Sequence, residues 1–367
     1  MIDAVDALLA ERSVVAVVGR GGVGKTTVAA ALGVRAARHH DRRVLVVTVD
    51  PARRLADALG VNGLDGEAVI VPVGQAEGRL WVLMVEMSSA WDQLVRHCAP
   101  DAATADSLLA NGLYRSLTTR FVASHDYVAL DHILLLDDDR FDLIIVDTPP
   151  GNHAEDLFAA PGRLGLFFDS RLLRWLTAGV GGGVTRLASR PFQLVARRLL
   201  GTDFLDRIGE FFTLFARLRP RLVERIDAVE RLLESPASAM VEIRAADSGH
   251  IPEPVEEGDD LVVVNRLLPL TEVVIEPSGD GVDRVTLDLR IDSDDVDALT
   301  DESLRAAVVG LMAATPGVEM RLPAGTGLCL LPRLSGGVNR LEDLITLTDQ
   351  AAAEPWRSKA ESSDPVV

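Results

Sequence analysis

Nine residues near the N-terminus carry the strongest chemistry in the chain: Gly19-Arg20-Gly21-Gly22-Val23-Gly24-Lys25-Thr26-Thr27. Their spacing is G-x-x-x-x-G-K-T. Glycines let backbone N–H groups turn toward an anion and approach it closely. A lysine followed by a hydroxyl at the end of such a loop suits a polyphosphate carrying a divalent cation. Lys25 would reach the β- and γ-phosphates, and the Thr26 hydroxyl would ligate Mg²⁺. Gly21, Gly22, Val23, Gly24, Lys25, Thr26 and Thr27 are therefore expected to bind ATP or ADP. Composition isolates the lysine. Of the 37 basic residues only Lys25 and Lys359 are lysines, and Lys359 lies in the polar C-terminal tail. An ammonium is a compact point charge and a guanidinium a planar fork. A chain that otherwise uses arginine keeps its one internal lysine where the compact charge fits. The plain alternative is a Gly-rich turn that holds a lysine by chance, and both the spacing and the flanks oppose it.

Such a loop works only between a strand and a helix. The apolar run Ser13 to Val18 reads as a buried strand, and Val28 to Arg38 as a helix. The helix N-terminus would add partial positive charge at the phosphate site. A second apolar run, Arg43 to Val49, ends in Asp50-Pro51. Asp50 is thereby placed at the C-terminal edge of a parallel sheet, where ligands bind in open α/β folds. It could instead cap a helix over Ala52–Leu59. Trp81 to Met87 reads as a third strand, with Ser88 or Ser89 capping a helix that runs to about Cys98. Residues 101–136 have helical spacing. Phe141 to Val146 is a further apolar strand, closing on Asp147-Thr148-Pro149-Pro150-Gly151. An apolar strand that closes on aspartate suits a carboxylate holding a Mg²⁺-bound water opposite Thr26. The expected fold is α/β of the P-loop NTPase class. It has a mostly parallel central sheet flanked by helices and an inserted helical subdomain.

Residues 20–27, R-G-G-V-G-K-T-T, resemble the deviant phosphate loop K-G-G-x-G-K-[ST] of the MinD/ParA/nitrogenase-iron-protein/ArsA group. In that group the first lysine crosses a dimer interface to the partner's nucleotide, and Arg20 stands at that position here. With D-T-P-P-G at 147–151 and V-D-P-A-x-x-L-x-D-A at 49–58, the chain resembles the ArsA-type ATPases. These include arsenical-pump ATPases and ATPases that target tail-anchored membrane proteins. The nearest likeness is to the actinobacterial "anion-transporting ATPase" branch. The resemblance covers residues 13 to about 240 well, and 261–265 and 327–331 more loosely. It implies that Asp50 orients the attacking water, that Asp147 serves Mg²⁺, and that Arg20 acts in trans. It also implies that Asn265 reads adenine, with Pro332 on the facing loop. For Asn265 a strand-end turn role stands equally open. A homodimer, or a heterodimer with a related ATPase, follows from the same likeness.

Several classes are excluded. The formal charge of −18 argues against a non-specific nucleic-acid binder or a DNA segregator. The two cysteines, Cys98 and Cys329, supply neither iron–sulfur ligands, nor an arsenite-binding triad, nor a zinc clasp. They fit a reducing cytoplasm. No apolar run reaches the length of a membrane span, and residues 1–12 lack a signal-peptide pattern. A peripheral membrane partner stays open.

Residues 157–217 differ from the rest. They hold eight of the ten phenylalanines, and between Pro161 and Arg221 arginines outnumber acids eleven to four. Leu164, Phe168, Leu172, Trp175 and Leu176 share one helical face, as do Phe204, Ile208, Phe211, Phe212 and Phe215. Two readings stay open: a groove for an apolar helical client, or the packed core of a small helical subdomain at 157–233. Thr271 to Glu276 and Val282 to Arg290 read as a hairpin within an insertion at 271–302, which ends in an acidic stretch. A helix is expected at 301–314 and another at 338–352. The ATPase domain would then span 1–353, with 354–367 disordered. Functionally, a slow dimeric switch ATPase coupled to a client competes with a hydrolysis-poor nucleotide-binding subunit of a hetero-oligomer.

Overall fold

Continuous apolar pentapeptides, rather than alternating ones, build the centre of the molecule. Val14–Val18 (β1) and Val44–Thr48 (β2) are buried at every residue. This is what parallel strands covered on both faces require. In the computed structural model they join Val69–Val71 (β3), Leu80–Met84 (β4), Leu143–Asp147 (β5), Ser238–Ala245 (β6), Leu261–Leu267 (β7) and Gly327–Pro332 (β11) in one sheet. The strand order is β11-β7-β6-β1-β5-β2-β4-β3, and every pairing is parallel except that of β3 with β4. The structure describes residues 2–49, 54–61, 66–74, 79–118, 125–135, 140–148, 202–245, 260–267, 271–276, 282–289, 318–323, 326–332, 334, 338 and 340–353. The α/β reading with a mostly parallel sheet is borne out.

The chain divides into two compact units. The first comprises residues 1–84, 140–154 and 236–367, and the second 85–139 and 155–235. In the first unit, Lys25–His39 (α2) lies directly on the sheet. Its buried face is Val28, Ala29, Ala30, Val34, Ala36 and Ala37. Small residues bring the two backbones close: a Cβ on Gly33 would come within 2.5 Å of Val46 Cγ2. Ile2–Glu11 (α1) was not foreseen. Its Val5, Leu8 and Leu9 are buried, and Asp6 accepts from Arg35 Nε and Nη2 at 2.7 Å each. Arg54–Leu59 (α3) buries Leu55, Ala56, Ala58 and Leu59. Leu341–Ala353 (α9) starts three residues later than the sequence suggested.

The hairpin at 271–290 is present. Thr271–Glu276 (β8) pairs antiparallel with Val282–Leu289 (β9), Thr271 facing Leu289. A third strand, Val318–Pro323 (β10), which sequence reasoning missed, completes this small sheet. Val285, Met320 and Leu322 pack on Val262, Val264, Leu328 and Leu330 of β7 and β11. The expected helix at 301–314, the acidic stretch and the tail at 354–367 lie outside the described residues.

The described part of the second unit is helical, and the unit takes in more chain than 157–233. It contains Met87–Cys98 (α4), Ala102–Ala110 (α5), Gly112–Thr118 (α6), His125–Leu135 (α7) and Thr202–Leu233 (α8). The cap of α4 is Glu86, not a serine: its carboxylate accepts from the N–H groups of Ser88 and Ser89. Residues 101–136 are not one helix. Asp101 accepts from Thr104 N at 2.7 Å, and Asn111 Oδ1 from Leu113 N at 2.9 Å, so each opens a new helix. Along α8, Phe211, Phe215, Leu218, Leu222, Ile226, Val229 and Leu233 form one buried stripe. Phe211 and Phe215 therefore belong to a packed core. Residues 157–201, with the remaining aromatics of the proposed groove except Phe204 and Phe212, lie outside the described residues.

One surface lock is tested by pH. Asp142 accepts from the Arg43 backbone N–H and guanidinium, at 2.8 Å and 2.7 Å. The guanidinium bonds, then the backbone bond, hold its carboxyl down at about 2. A lowered folded value stabilises above the ordinary aspartate range and is lost as pH falls through about 2. The pair is exposed, so its contribution is at most about 1 kcal/mol. Asp142→Asn is expected to lower the melting temperature by about 2 °C at neutral pH. The difference from wild type should narrow as pH is taken from 4 toward 2. A pH-independent difference would show that the charge is not the cause.

Candidate functional site

The phosphate loop is the turn from β1 into α2. Helix α2 begins at Lys25, and its N-cap, Gly24, has φ +100° and offers no side-chain cap. The first-turn N–H groups of a helix lack intrahelical partners, and here no capping side chain takes one. Gly24 is required twice over. Its φ disfavours any side chain, and a Cβ there would lie 2.3 Å from Asn265 Nδ2. Lys25 is 6 % exposed, and its Nζ donates to Gly19 O at 2.7 Å and Arg20 O at 3.1 Å. The ammonium is thus held on the loop by main-chain oxygens. Gly22, Lys25, Thr26, Arg54, Thr148 and Arg266 line a cleft of about 400 Å³. Three of these are cationic, which suits a polyanion.

Asp147 closes β5, where the register sets it beside Val17 of β1 and Thr48 of β2. It is 1 % exposed, and its Oδ2 accepts from Thr48 Oγ1 at 2.9 Å. Thr148 lines the cleft and donates from Oγ1 to Val17 O at 2.7 Å. Sequence reasoning missed Thr48. Its signal was a polar residue closing an otherwise apolar strand. Among the described residues no three His, Cys, Asp or Glu side chains gather as a metal cage. One carboxylate and one hydroxyl would suit Mg²⁺, which keeps waters and takes substrate phosphates as ligands.

The expected base-reading pair stands at one sheet edge. Asn265 on β7 and Pro332 on β11 fall near the ends of neighbouring strands, where Pro332 faces Leu267 across a register shift. The Asn265 side chain, however, is turned to the loop. Its Nδ2 donates to Val23 O at 3.0 Å and its Oδ1 accepts from Arg266 N at 2.9 Å. Arg266 follows with φ +64° and donates from Nη2 to Gly22 O at 2.7 Å. Arg266, Arg54 and Asp57 were not foreseen as cleft residues, although Asp57 lies within the V-D-P-A-x-x-L-x-D-A pattern. Arg20 and Gly21 are exposed. Asp50 lies outside the described residues.

Cys98 and Cys329 are free and buried, and burial pushes each thiol up to about 12. Burial favours the neutral thiol at both positions. No helix among the described residues is long and apolar enough to cross a membrane.

The model of the anion-transporting ATPase family matches residues 12–179. An arsenical pump-driving ATPase of Escherichia coli is 31 % identical over 162 residues, covering 41 % of this chain and 26 % of that protein. The arsenical pump-driving ATPase of Acidiphilium multivorum is 30 % identical over 158 residues, with the same coverage of 41 % and 26 %. ATPase GET3 of Kluyveromyces lactis is 26 % identical over 212 residues, covering 53 % of this chain and 58 % of that protein. The chain thus spans about a quarter of the arsenical pump ATPases and little over half of the yeast protein. Residues 12–179, the part of the chain that is similar to the anion-transporting ATPase family, hold the loop, the carboxylate that closes β5 and the first five strands.

Proposed function

We propose that this chain is a switch ATPase: it binds Mg·ATP in the loop cleft, hydrolyses it slowly, and works as a dimer whose nucleotide state governs binding of a client. The observation that carries the reading is Lys25, buried at the N-terminus of α2 in a cationic cleft of about 400 Å³. The family and the ATPases named above support it. Lys25 and the loop N–H groups bind and orient the phosphates, while Thr26 and Asp147 would hold Mg²⁺. The metal, when bound with the nucleotide, neutralises charge developing on the phosphate oxygens. Thr48 fixes one oxygen of Asp147, so the carboxylate cannot rotate freely. Asp50 orients the attacking water. Phosphate release from the purified protein with Mg·ATP tests the reading. No release, alone or with its cellular partner, would favour the hydrolysis-poor subunit.

Arg20 separates the two. It is exposed, one residue after Gly19, and in this reading it serves the partner's phosphates rather than its own. A trans arginine stabilises the charge on the transferred phosphoryl group and is worth roughly 10³-fold or more in turnover. Arg20→Ala is expected to keep ATP affinity within a few-fold and to lose most turnover. Mixing it with Asp50→Asn should restore part of the activity, because one mixed site keeps Asp50 in cis and Arg20 in trans. Absence of rescue, with both variants dimeric by sedimentation, would exclude the trans role.

A further inference from the structure

We infer that Arg266 is a positioning residue for the nucleotide loop: its guanidinium, with the Asn265 amide, orients two consecutive loop peptides for polyphosphate binding. The inference rests on the cleft being a nucleotide site. In a strand, successive side chains point to opposite faces of the sheet. Asn265 and Arg266 are adjacent, yet both donate to the loop, to Val23 O and to Gly22 O. Arg266 departs from strand geometry, with φ +64° at the end of β7. Such a conformation is strained for a non-glycine residue and persists where surrounding contacts impose it. The Asn265 Oδ1 bond to Arg266 N, at 2.9 Å, is one of those contacts.

The consequence follows from peptide geometry. None of the peptide bonds is cis among the described residues. In a trans peptide the C=O of one residue and the N–H of the next point in opposite directions. Holding Gly22 O therefore turns the Val23 N–H away from Arg266. Holding Val23 O turns the Gly24 N–H away from Asn265. Lys25 does the same for the peptides after Gly19 and Arg20. The carbonyls of Gly19, Arg20, Gly22 and Val23 thus accept from side chains, which orients the N–H of each following residue away from those donors. Arg266 also lines the cleft, so its charge adds to the field on a bound phosphate.

The test uses the full chain and Mg·ADP in calorimetry, beside thermal melts without nucleotide. Arg266→Gly removes the guanidinium and also relieves the backbone strain. It is expected to melt at or above the wild-type temperature while binding Mg·ADP about tenfold more weakly, the fold-change of one charge-assisted hydrogen bond. Arg266→Lys, which keeps a donor and the charge, should recover part of that affinity. Wild-type affinity in Arg266→Gly would overturn the inference. So would a loss of affinity that merely follows a fall in melting temperature, with no recovery in Arg266→Lys. Failure of the wild-type chain itself to bind Mg·ADP would instead remove the nucleotide reading beneath it.

Discussion

Lys25→Ala is expected to weaken Mg·ATP binding by about 10- to 100-fold. The figure follows from a hydrogen bond to a charged group, worth about 1.5–3 kcal/mol, with 1.4 kcal/mol per tenfold. The side chain is 6 % exposed and already aligned over the loop, so little ordering entropy offsets its contact with phosphate. Lys25→Arg should not rescue. The guanidinium is broader and must leave Gly19 O and Arg20 O, which now accept from a single Nζ. Calorimetry reads the affinity, and circular dichroism verifies that the fold is retained. An unchanged affinity in Lys25→Ala would remove the phosphate-loop assignment.

Gly24→Ala is expected to abolish measurable nucleotide binding and to destabilise the fold. Two costs combine. The residue has φ +100°, which an L side chain adopts only at roughly 1–3 kcal/mol. The new Cβ would also sit 2.3 Å from Asn265 Nδ2. That amide cannot simply swing aside, because Val23 O and Arg266 N hold both its ends. Gly22→Ala is the control. Its φ is +82°, but a Cβ there meets nothing within 4 Å. It should carry only the backbone cost and retain most binding. Equal losses at the two positions would show that the Asn265 contact contributes nothing. A double variant, Gly24→Ala with Asn265→Ala, should recover stability partly but not binding.

The aromatic stripe of α8 bears on the client reading. Phe211 and Phe215 stack with centroids 5.3 Å apart and are buried. Their spacing suited a groove and a core alike, because both present the same period to a helix. Only packing separated the two. For these residues it chose the core.

The sequence by itself determined the frame of the site. Continuous apolar runs fixed β1, β2 and β5, and the Gly-Lys-Thr turn fixed where α2 begins, because these signals are local. The helix propensity and period of residues 2–11 were equally local, with Val5, Leu8 and Leu9 at helical spacing, but the acids there drew the reading elsewhere. Tertiary structure decided what is contributed from a distance. Thr48 meets Asp147 only because β2 lies beside β5 in that register. Asn265 and Arg266 reach a loop more than 240 residues earlier only because β7 joins β6 and β6 joins β1. No local pattern marks an arginine for φ +64°; the hydrogen bonds across the sheet edge impose it. The chemistry of the loop is written in nine consecutive residues, and the orientation of its peptides is set by residues brought to it by the sheet.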